Sequence, residues 1–204
     1  MSLLITDLDL AKQLIAEREA TDGAAHDEVW DGVYVMSPLP NNEHLKLSAE
    51  LWLVFRTVLG ETGSGTAFNG LNVSERENGW EKNYRESDVA VILNENPAKD
   101  CDTHWCGGPD LVVEILSPGD RARDKRGFYA SVGVKELLII DRKPWQLELF
   151  RLTDESLDLV GRSTPDGGES LVSAALPVRF RIVPGKTRPM IEVVDTRHNH
   201  SWIL

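Results

Sequence analysis

The stretch that decides the fold runs from residue 109 to residue 141 and reads PDLVVEILSPGDRARDKRGFYASVGVKELLIID. Two aliphatic runs within it, LVVEIL and KELLIID, have the length and composition of buried strands. The polar segment between them carries Phe128, Tyr129 and Val132 at helical spacing. An order of strand, helix and strand predicts a crossover connection and a parallel strand pair.

The residues before this stretch predict two helices and a hairpin. Residues 7–19 have leucines at helical spacing, behind acidic residues that suit a helix N-terminus. The segment EVWDGVYVM, residues 28–36, predicts two short strands, because its central Asp-Gly pair tolerates the positive φ of a two-residue turn. Asn41 or Asn42 is suited to cap a second helix that ends near residue 59.

The remaining extended segments complete a mixed α/β chain. Strands are predicted for TAFNGLNVS and SDVAVIL, an antiparallel hairpin for WQLELFRL with SLDLVGR, and an edge strand for MIEVVD near the C-terminus. The sequence contains no internal repeat or low-complexity linker. We therefore expect one domain over residues 1–204, with a core at about 28–152 and a C-terminal β elaboration at about 153–204.

The composition is that of an ordinary globular protein. Hydrophobic residues make up 41% and charged residues 27% of the 204 positions. No apolar run approaches the roughly 18 residues of a membrane helix. The N-terminal segment lacks a basic leader, which argues against a secretory signal. We expect a cytoplasmic protein with no membrane partner.

The formal net charge of −11 disfavours tight binding to nucleic acid, because lysine and arginine contacts to phosphate dominate that affinity. Local charge matters more than the sum. Residues 121–126, RARDKR, and residues 179–188, RFRIVPGKTR, are basic islands in the acidic chain. They are either phosphate-binding surfaces or solvated faces, and the sequence leaves both interpretations open.

Acidic residues interrupt the predicted central strands. The two-residue period of a strand places Asp110 and Glu114 on one face, and Asp88 stands at the start of the preceding strand. If the strands are neighbours, these carboxylates converge and require a cation such as Mg²⁺ or Mn²⁺. A bound metal would activate water to attack a phosphodiester, and Lys125 could stabilise the developing charge.

Each of these residues also has an ordinary structural interpretation. Asp88 could belong to a turn, Asp110 could begin a strand, and Lys125 could be an exposed helix residue. Glu114 differs, because aliphatic residues surround it in LVVEIL and a buried carboxylate without a partner is costly. Glu114 is therefore the residue for which a functional role is favoured on its own.

Histidines and cysteines add weaker candidates. Cys101, His104 and Cys106 in CDTHWC could be three ligands of a zinc ion, but no second Cys/His pair completes the usual spacing, so a surface loop is the favoured interpretation. His44 and His104 are candidate auxiliaries, and a histidine near a site is more often a hydrogen-bonded bystander.

The order of these motifs resembles the Uma2 family of restriction-endonuclease-like proteins. The resemblance rests on DGVYVMSPLPNNEHLKLSAEL, SDVAVIL and the run from GGPDLVVEIL to ELFRL, over residues 28–152. It implies a PD-(D/E)XK nuclease fold, a central mixed sheet flanked by helices, with an N-terminal hairpin and a C-terminal β-hairpin. It also implies a DNA substrate and Mg²⁺ or Mn²⁺ as cofactor.

The resemblance assigns roles to residues of this sequence. It implies that Asp88 and Glu114 are metal ligands together with the carbonyl of Ile115, with Glu43 as a candidate additional acid. A first-turn glutamate favoured by the helix dipole explains Glu43 equally well. Asp110, from the strand pattern, is a further candidate auxiliary. Ser87 stands where the family pattern has proline, and Leu116 where the superfamily motif has lysine. Lys125 on the next helix fits the displaced lysine, although Arg123 and Arg126 lie close to it in sequence.

Two other functions remain open at this stage. A catalytically inactive module with the nuclease fold would bind nucleic acid or protein, with Asp88 and Glu114 apart or neutralised internally. A phosphodiesterase acting on RNA or nucleotides would use the same chemistry. A homodimer is compatible with the sequence, because paired sites often cut two strands.

Overall fold

The computed structural model describes residues 2–20, 26–37, 39–117, 119 and 121–204. Within these ranges the chain forms a 12-stranded mixed sheet, a 4-stranded antiparallel sheet and three α-helices, which confirms the predicted mixed α/β class. The helices are α1 (Leu8–Glu19), α2 (Asn42–Gly60) and α3 (Arg126–Ser131).

The strands are numbered in chain order. The large sheet contains β1 (Leu3–Ile5), β2 (Glu28–Trp30), β3 (Val33–Met36), β4 (Gly65–Ser74), β5 (Tyr84–Leu93), β6 (Lys99–Asp100), β7 (Trp105–Cys106), β8 (Leu111–Ile115), β9 (Glu136–Arg142), β10 (Trp145–Leu152), β11 (Leu157–Thr164) and β12 (Gly167–Gly168). The small sheet contains β13 (Leu171–Val172), β14 (Val178–Val183), β15 (Met190–Asp195) and β16 (Ser201–Ile203).

The centre of the large sheet is the predicted crossover unit. Strand β8 pairs in parallel with β9, and a 3₁₀ turn over Ala122–Lys125 followed by α3 connects them. Strand β5 lies antiparallel to β8 on its other side, and β10 continues the sheet as a hairpin with β11. The parallel pair and the C-terminal hairpin are thus confirmed.

The two predicted N-terminal helices and the hairpin are present. Asp7 caps α1, and Asn41 caps α2 by accepting a hydrogen bond from the backbone N–H of His44. In the turn between β2 and β3, Asp31 and Gly32 have φ values of +49° and +83°, which glycine and aspartate tolerate better than most residues. Helix α2 packs Leu47, Leu51 and other apolar side chains into the main hydrophobic core.

The prediction of MIEVVD as an edge strand was wrong. This segment forms β15, which lies between β14 and β16. Its inward side chains Ile191 and Val193 are fully buried in the same cluster as Phe180 of β14 and Phe55 of α2. The basic content of residues 179–188 concealed β14, whose apolar residues alternate with arginines.

Helices α1, α2 and α3, the α-helices of the described ranges, are too short or too polar to cross a lipid bilayer.

Candidate active site

The candidate site lies where the large sheet splits beside β5. One end of β5 pairs with β8 at Val89 to Val91, whereas Tyr84 at the other end pairs with Val29 of β2. Residues 85–88 lie between these two partners, so side chains must satisfy part of their backbone hydrogen bonding. Glu28 accepts from the backbone N–H of Glu86 at 2.8 Å, and Lys125 donates to the carbonyl of Glu86 at 2.9 Å.

Asp88 is held at this split by two contacts. Its Oδ2 accepts a hydrogen bond of 2.6 Å from the backbone N–H of Ile115, and its Oδ1 lies 2.9 Å from Nε2 of His44. The first contact links the carboxylate to the end of β8, and the second links it to the first turn of α2. Asp88 therefore has a fixed position while about a quarter of its side chain, 24%, stays exposed.

Lys125 lies between two buried glutamates. Its Nζ is 2.8 Å from Oε1 of Glu28 and 3.0 Å from Oε2 of Glu114. Both glutamate side chains are at most 4% exposed and that of Lys125 is 10% exposed. Removing charges from water is expensive, and the close contacts repay part of that cost. Two anions thus share one ammonium group.

Burial raises the pKa of Glu114 well above its ordinary value, and the negative charges of Asp88 and Glu28 raise it further, although Lys125 opposes them. Tyr129 donates a hydrogen bond of 2.5 Å to Oε1 of Glu114. Burial and the adjacent Glu114 in turn raise the pKa of the Tyr129 hydroxyl, so it remains a donor. Tyr129 is fully buried between α3 and the sheet, and it also orients the carboxylate of Glu114.

Asp88, Glu114, Lys125, Glu28 and His44 line one pocket with a volume of about 170 Å³. Its acidic lining residues are Glu28, Glu86, Asp88 and Glu114, and its arginine and lysine residues are Arg121 and Lys125. Arg121 is also paired with Asp124 outside the pocket. The pocket thus has an excess of negative charge.

The donor set fits a divalent cation. Asp88 and Glu114 line one pocket, and carboxylate oxygens are the hard ligands that Mg²⁺ and Mn²⁺ prefer. Burial is the main reason for the raised pKa of Glu114, and a cation would relieve the repulsion from Asp88 and Glu28 that adds to it. Ile115 is placed beside Asp88 by its N–H contact.

The two predicted auxiliary acids lie elsewhere. Asp110 is buried at the opposite end of β8, where it accepts from the backbone N–H of Leu93 and from Asn96 and pairs with Lys135. Glu43 pairs with Arg142 and Arg188 beside a second cavity. Neither lines the pocket that holds Asp88 and Glu114.

The CDTHWC segment forms no group of three candidate metal ligands in the described part of the chain. Nε2 of His104 lies 2.7 Å from the carbonyl oxygen of Arg76, and its ring stacks on Trp80 with centroids 4.7 Å apart. Within the described ranges, Glu61, Asp195 and His198 form such a group. Arg197 lies between these two acids, 3.1 Å from Glu61 and 2.7 Å from Asp195, and neutralises part of their charge.

Acidic neighbours neutralise much of the two basic islands. Arg123 contacts Asp141 and Glu148, and Arg181 contacts Glu192. Arg121, which also pairs with Asp124, lines the candidate pocket.

Sequence reasoning missed Glu28 and its role beside Lys125. Glu28 belongs to the predicted hairpin, but its partner is 97 positions away, and strand periodicity carries no signal for that contact. Trp30, two residues on, donates a hydrogen bond of 2.5 Å to Glu28 and also lines the pocket. The sequence signal that could have indicated this role was the placement of Glu28 and Trp30 on one face of a short strand.

Comparisons with known proteins agree with the resemblance. The family model described as "Uma2: Putative restriction endonuclease" matches residues 14–184. The chain is also similar to the crystal structure of a putative nuclease belonging to DUF820 from Anabaena variabilis ATCC 29413, with a TM-score of 0.51 and 20% identity, over 64% of this chain and 74% of that chain. At this identity the likeness concerns the fold. Among curated proteins, none matches this chain.

Proposed function

Because this chain belongs to the Uma2 family, we propose that it is a metal-dependent nuclease that hydrolyses phosphodiester bonds in DNA. The observation that carries the proposal is the placement of Asp88 and Glu114, from neighbouring strands, in one pocket with Lys125. Their carboxylates and the carbonyl of Ile115 would hold Mg²⁺ or Mn²⁺. Bound there, the metal would lower the pKa of a water molecule and polarise the phosphoryl oxygen.

Other residues prepare the pocket for this chemistry. Lys125 supplies a fixed positive charge that would stabilise charge developing on the phosphate. Tyr129 and Lys125 together keep Glu114 in one orientation. Arg121 lines the same pocket and would contact a neighbouring phosphate oxygen.

The rival proposal, an inactive binding module, has one observation in its favour. Lys125 neutralises Glu114 internally, as a module without an open metal site would require. Against it, Asp88 lines the pocket, and within the described residues its ion-pair partner is His44, not a lysine or arginine. The predicted single domain, homodimer and cytoplasmic location stay predictions.

The test is cleavage of labelled single- and double-stranded DNA, RNA and a small phosphodiester, each in Mg²⁺ and in Mn²⁺. We expect wild-type protein to cut DNA and Glu114→Gln to lose at least about 100-fold in rate, the scale of one electrostatic catalytic group. Glu192→Gln is the matched control, because Glu192 lies in the small sheet. Equal cutting by wild type and Glu114→Gln would contradict the proposed site, and cutting of RNA alone would replace the proposed substrate.

A further inference from the structure

We infer that a groove beside the candidate pocket binds an unpaired nucleobase that carries an exocyclic amino group. The groove has a volume of about 370 Å³ and lies between β4 and the turn that joins β6 to β7. The inference rests on the proposed function and deepens it, because it names the part of the substrate that lies beside the phosphate. A base that is stacked inside a duplex cannot enter such a groove, so the bound nucleotide is single-stranded or flipped out.

The groove adjoins the candidate pocket at Gly70. Asn69, Gly70 and Glu86 line both cavities. Gly70 lies opposite Asp88, between two paired positions of β4 and β5. It has a φ of +81°, and a Cβ atom at this position would come within 3.3 Å of Oε1 of Glu86. A side chain there would therefore crowd the boundary between the two cavities.

Two aromatic rings give the groove a surface on which a base can stack. Phe68 of β4 and Trp105 of β7 line it, both are half-buried, and their ring centroids are 6.0 Å apart in an edge-to-face arrangement. Every base has a π-face, and stacking on aromatic side chains supplies affinity for single-stranded nucleic acid. The backbone of Trp105 is held in place, because it pairs with Val73 of β4 and the preceding His104 contacts the carbonyl of Arg76.

The charges of the lining suit a base better than a phosphate. Glu86, Asp100 and Asp102 line the groove, and no lysine or arginine among the described residues does so. A phosphate would be repelled there, whereas the adjoining pocket offers Lys125 and Arg121. Carboxylates accept hydrogen bonds from exocyclic amino groups, as they do from N4 of cytosine. Thymine has no amino group, so the groove should favour cytosine and adenine over thymine.

The test is a titration of the full chain with deoxycytidine, deoxyadenosine and thymidine, followed by NMR. Nucleosides carry no phosphate, so the measurement needs neither metal nor cleavage. The indole N–H signal of Trp105, identified by its absence from Trp105→Phe, should shift during the titration. We expect the Kd for deoxycytidine and for deoxyadenosine to be at least about threefold lower than that for thymidine.

Three variants test the stacking surface, with affinities taken from the signals of the nucleoside itself. Trp105→Ala should weaken the binding of deoxycytidine at least about fivefold, whereas Trp105→Phe keeps an aromatic face and should weaken it less. Trp202→Ala is the matched control, because Trp202 lies in β16 of the small sheet. It should bind deoxycytidine as wild type does.

The outcomes separate this inference from the proposed function. A Trp105 signal that no nucleoside shifts, or equal affinity for deoxycytidine and thymidine, overturns the nucleobase site and leaves the nuclease proposal to the cleavage assay. Binding that is unchanged in a folded Trp105→Ala overturns it as well. Selective nucleoside binding by a protein that cuts no DNA supports the groove and overturns the nuclease alone. The wild-type titration decides the matter even if Trp105→Ala is unstable.

Discussion

Lys125→Met is the substitution that most sharply exposes how the site is held together. Methionine has a similar length but no charge, so the change leaves Glu28 and Glu114 in place without their shared ammonium group. It also removes the donor to the carbonyl of Glu86. The remaining donors to the two glutamates, Trp30 and Tyr129 among them, carry no positive charge.

The loss of stability expected for Lys125→Met follows from the burial of the two glutamates. Both glutamates are at most 4% exposed, so water cannot replace the lost contacts. Breaking a buried ion pair from one side costs about 3–5 kcal/mol. For a chain of this size that free energy corresponds to a fall in Tm of roughly 6–20 °C, at about 2–4 °C per kcal/mol.

Urea unfolding of wild type, Lys125→Met and Lys46→Met measures the effect. Lys46 forms an exposed i, i+4 pair with Glu50 on α2, so its loss should cost about 0.3–0.5 kcal/mol. The deficit of Lys125→Met should shrink as the pH falls, because the uncompensated glutamates can then take up protons. A deficit at neutral pH no larger than that of Lys46→Met would refute the buried carboxylate arrangement.

Three further substitutions test other parts of the structure. Glu114→Gln should raise the free energy of unfolding at neutral pH, because the raised pKa of Glu114 means that its charge destabilises the fold. Urea unfolding measured at several pH values should show that this gain vanishes below about pH 4.3, the ordinary glutamate pKa. If Glu114→Gln is no more stable than wild type, Lys125 compensates the negative charge of Glu114 fully. Asp195→Asn should destabilise the protein above about pH 4. Because Arg197 lowers the pKa of Asp195 to about 2, this loss of stability should disappear as the pH falls through that value. A loss of stability that does not depend on pH would contradict the ion pair. Phe55→Ala should lower the free energy of unfolding by about 3–5 kcal/mol in the same assay, because Phe55 is fully buried with its ring centroid 6.2 Å from that of Phe180. A loss under about 1 kcal/mol would show that the two sheets do not share this core.

The central strands and the crossover could be predicted because the local pattern of apolar and polar residues is strong in that part of the sequence. The aliphatic runs around Glu114 and after Lys135 form β8 and β9, and the polar segment between them forms the crossover. Asp88 was predicted at the start of a strand, but β5 begins at Tyr84, so Asp88 lies inside the strand. Its position beside β8 follows from the strand pairing. Lys125 was a candidate from its place after the acidic strand and by resemblance, but its contacts depend on how the crossover packs and could not be predicted.

The contacts that complete the site are non-local and left little trace in the sequence. Glu28 meets Lys125 across 97 positions, and His44 meets Asp88 across 44. Both depend on the split of the sheet beside β5, which follows from the pairing of β2 at Tyr84 and not from any local propensity. The small sheet was only partly predicted for a related reason: arginines on its solvent-facing side masked the alternation of β14.

The central claim is that Asp88 and Glu114 together hold a divalent metal ion. Anomalous X-ray diffraction from crystals grown with Mn²⁺ tests it most directly, because the signal locates the ion without assuming any activity. We predict an anomalous peak in the pocket between the carboxylates of Asp88 and Glu114. A pocket without a peak in crystals that hold Mn²⁺ elsewhere, such as beside Glu61 and Asp195, would contradict the claim.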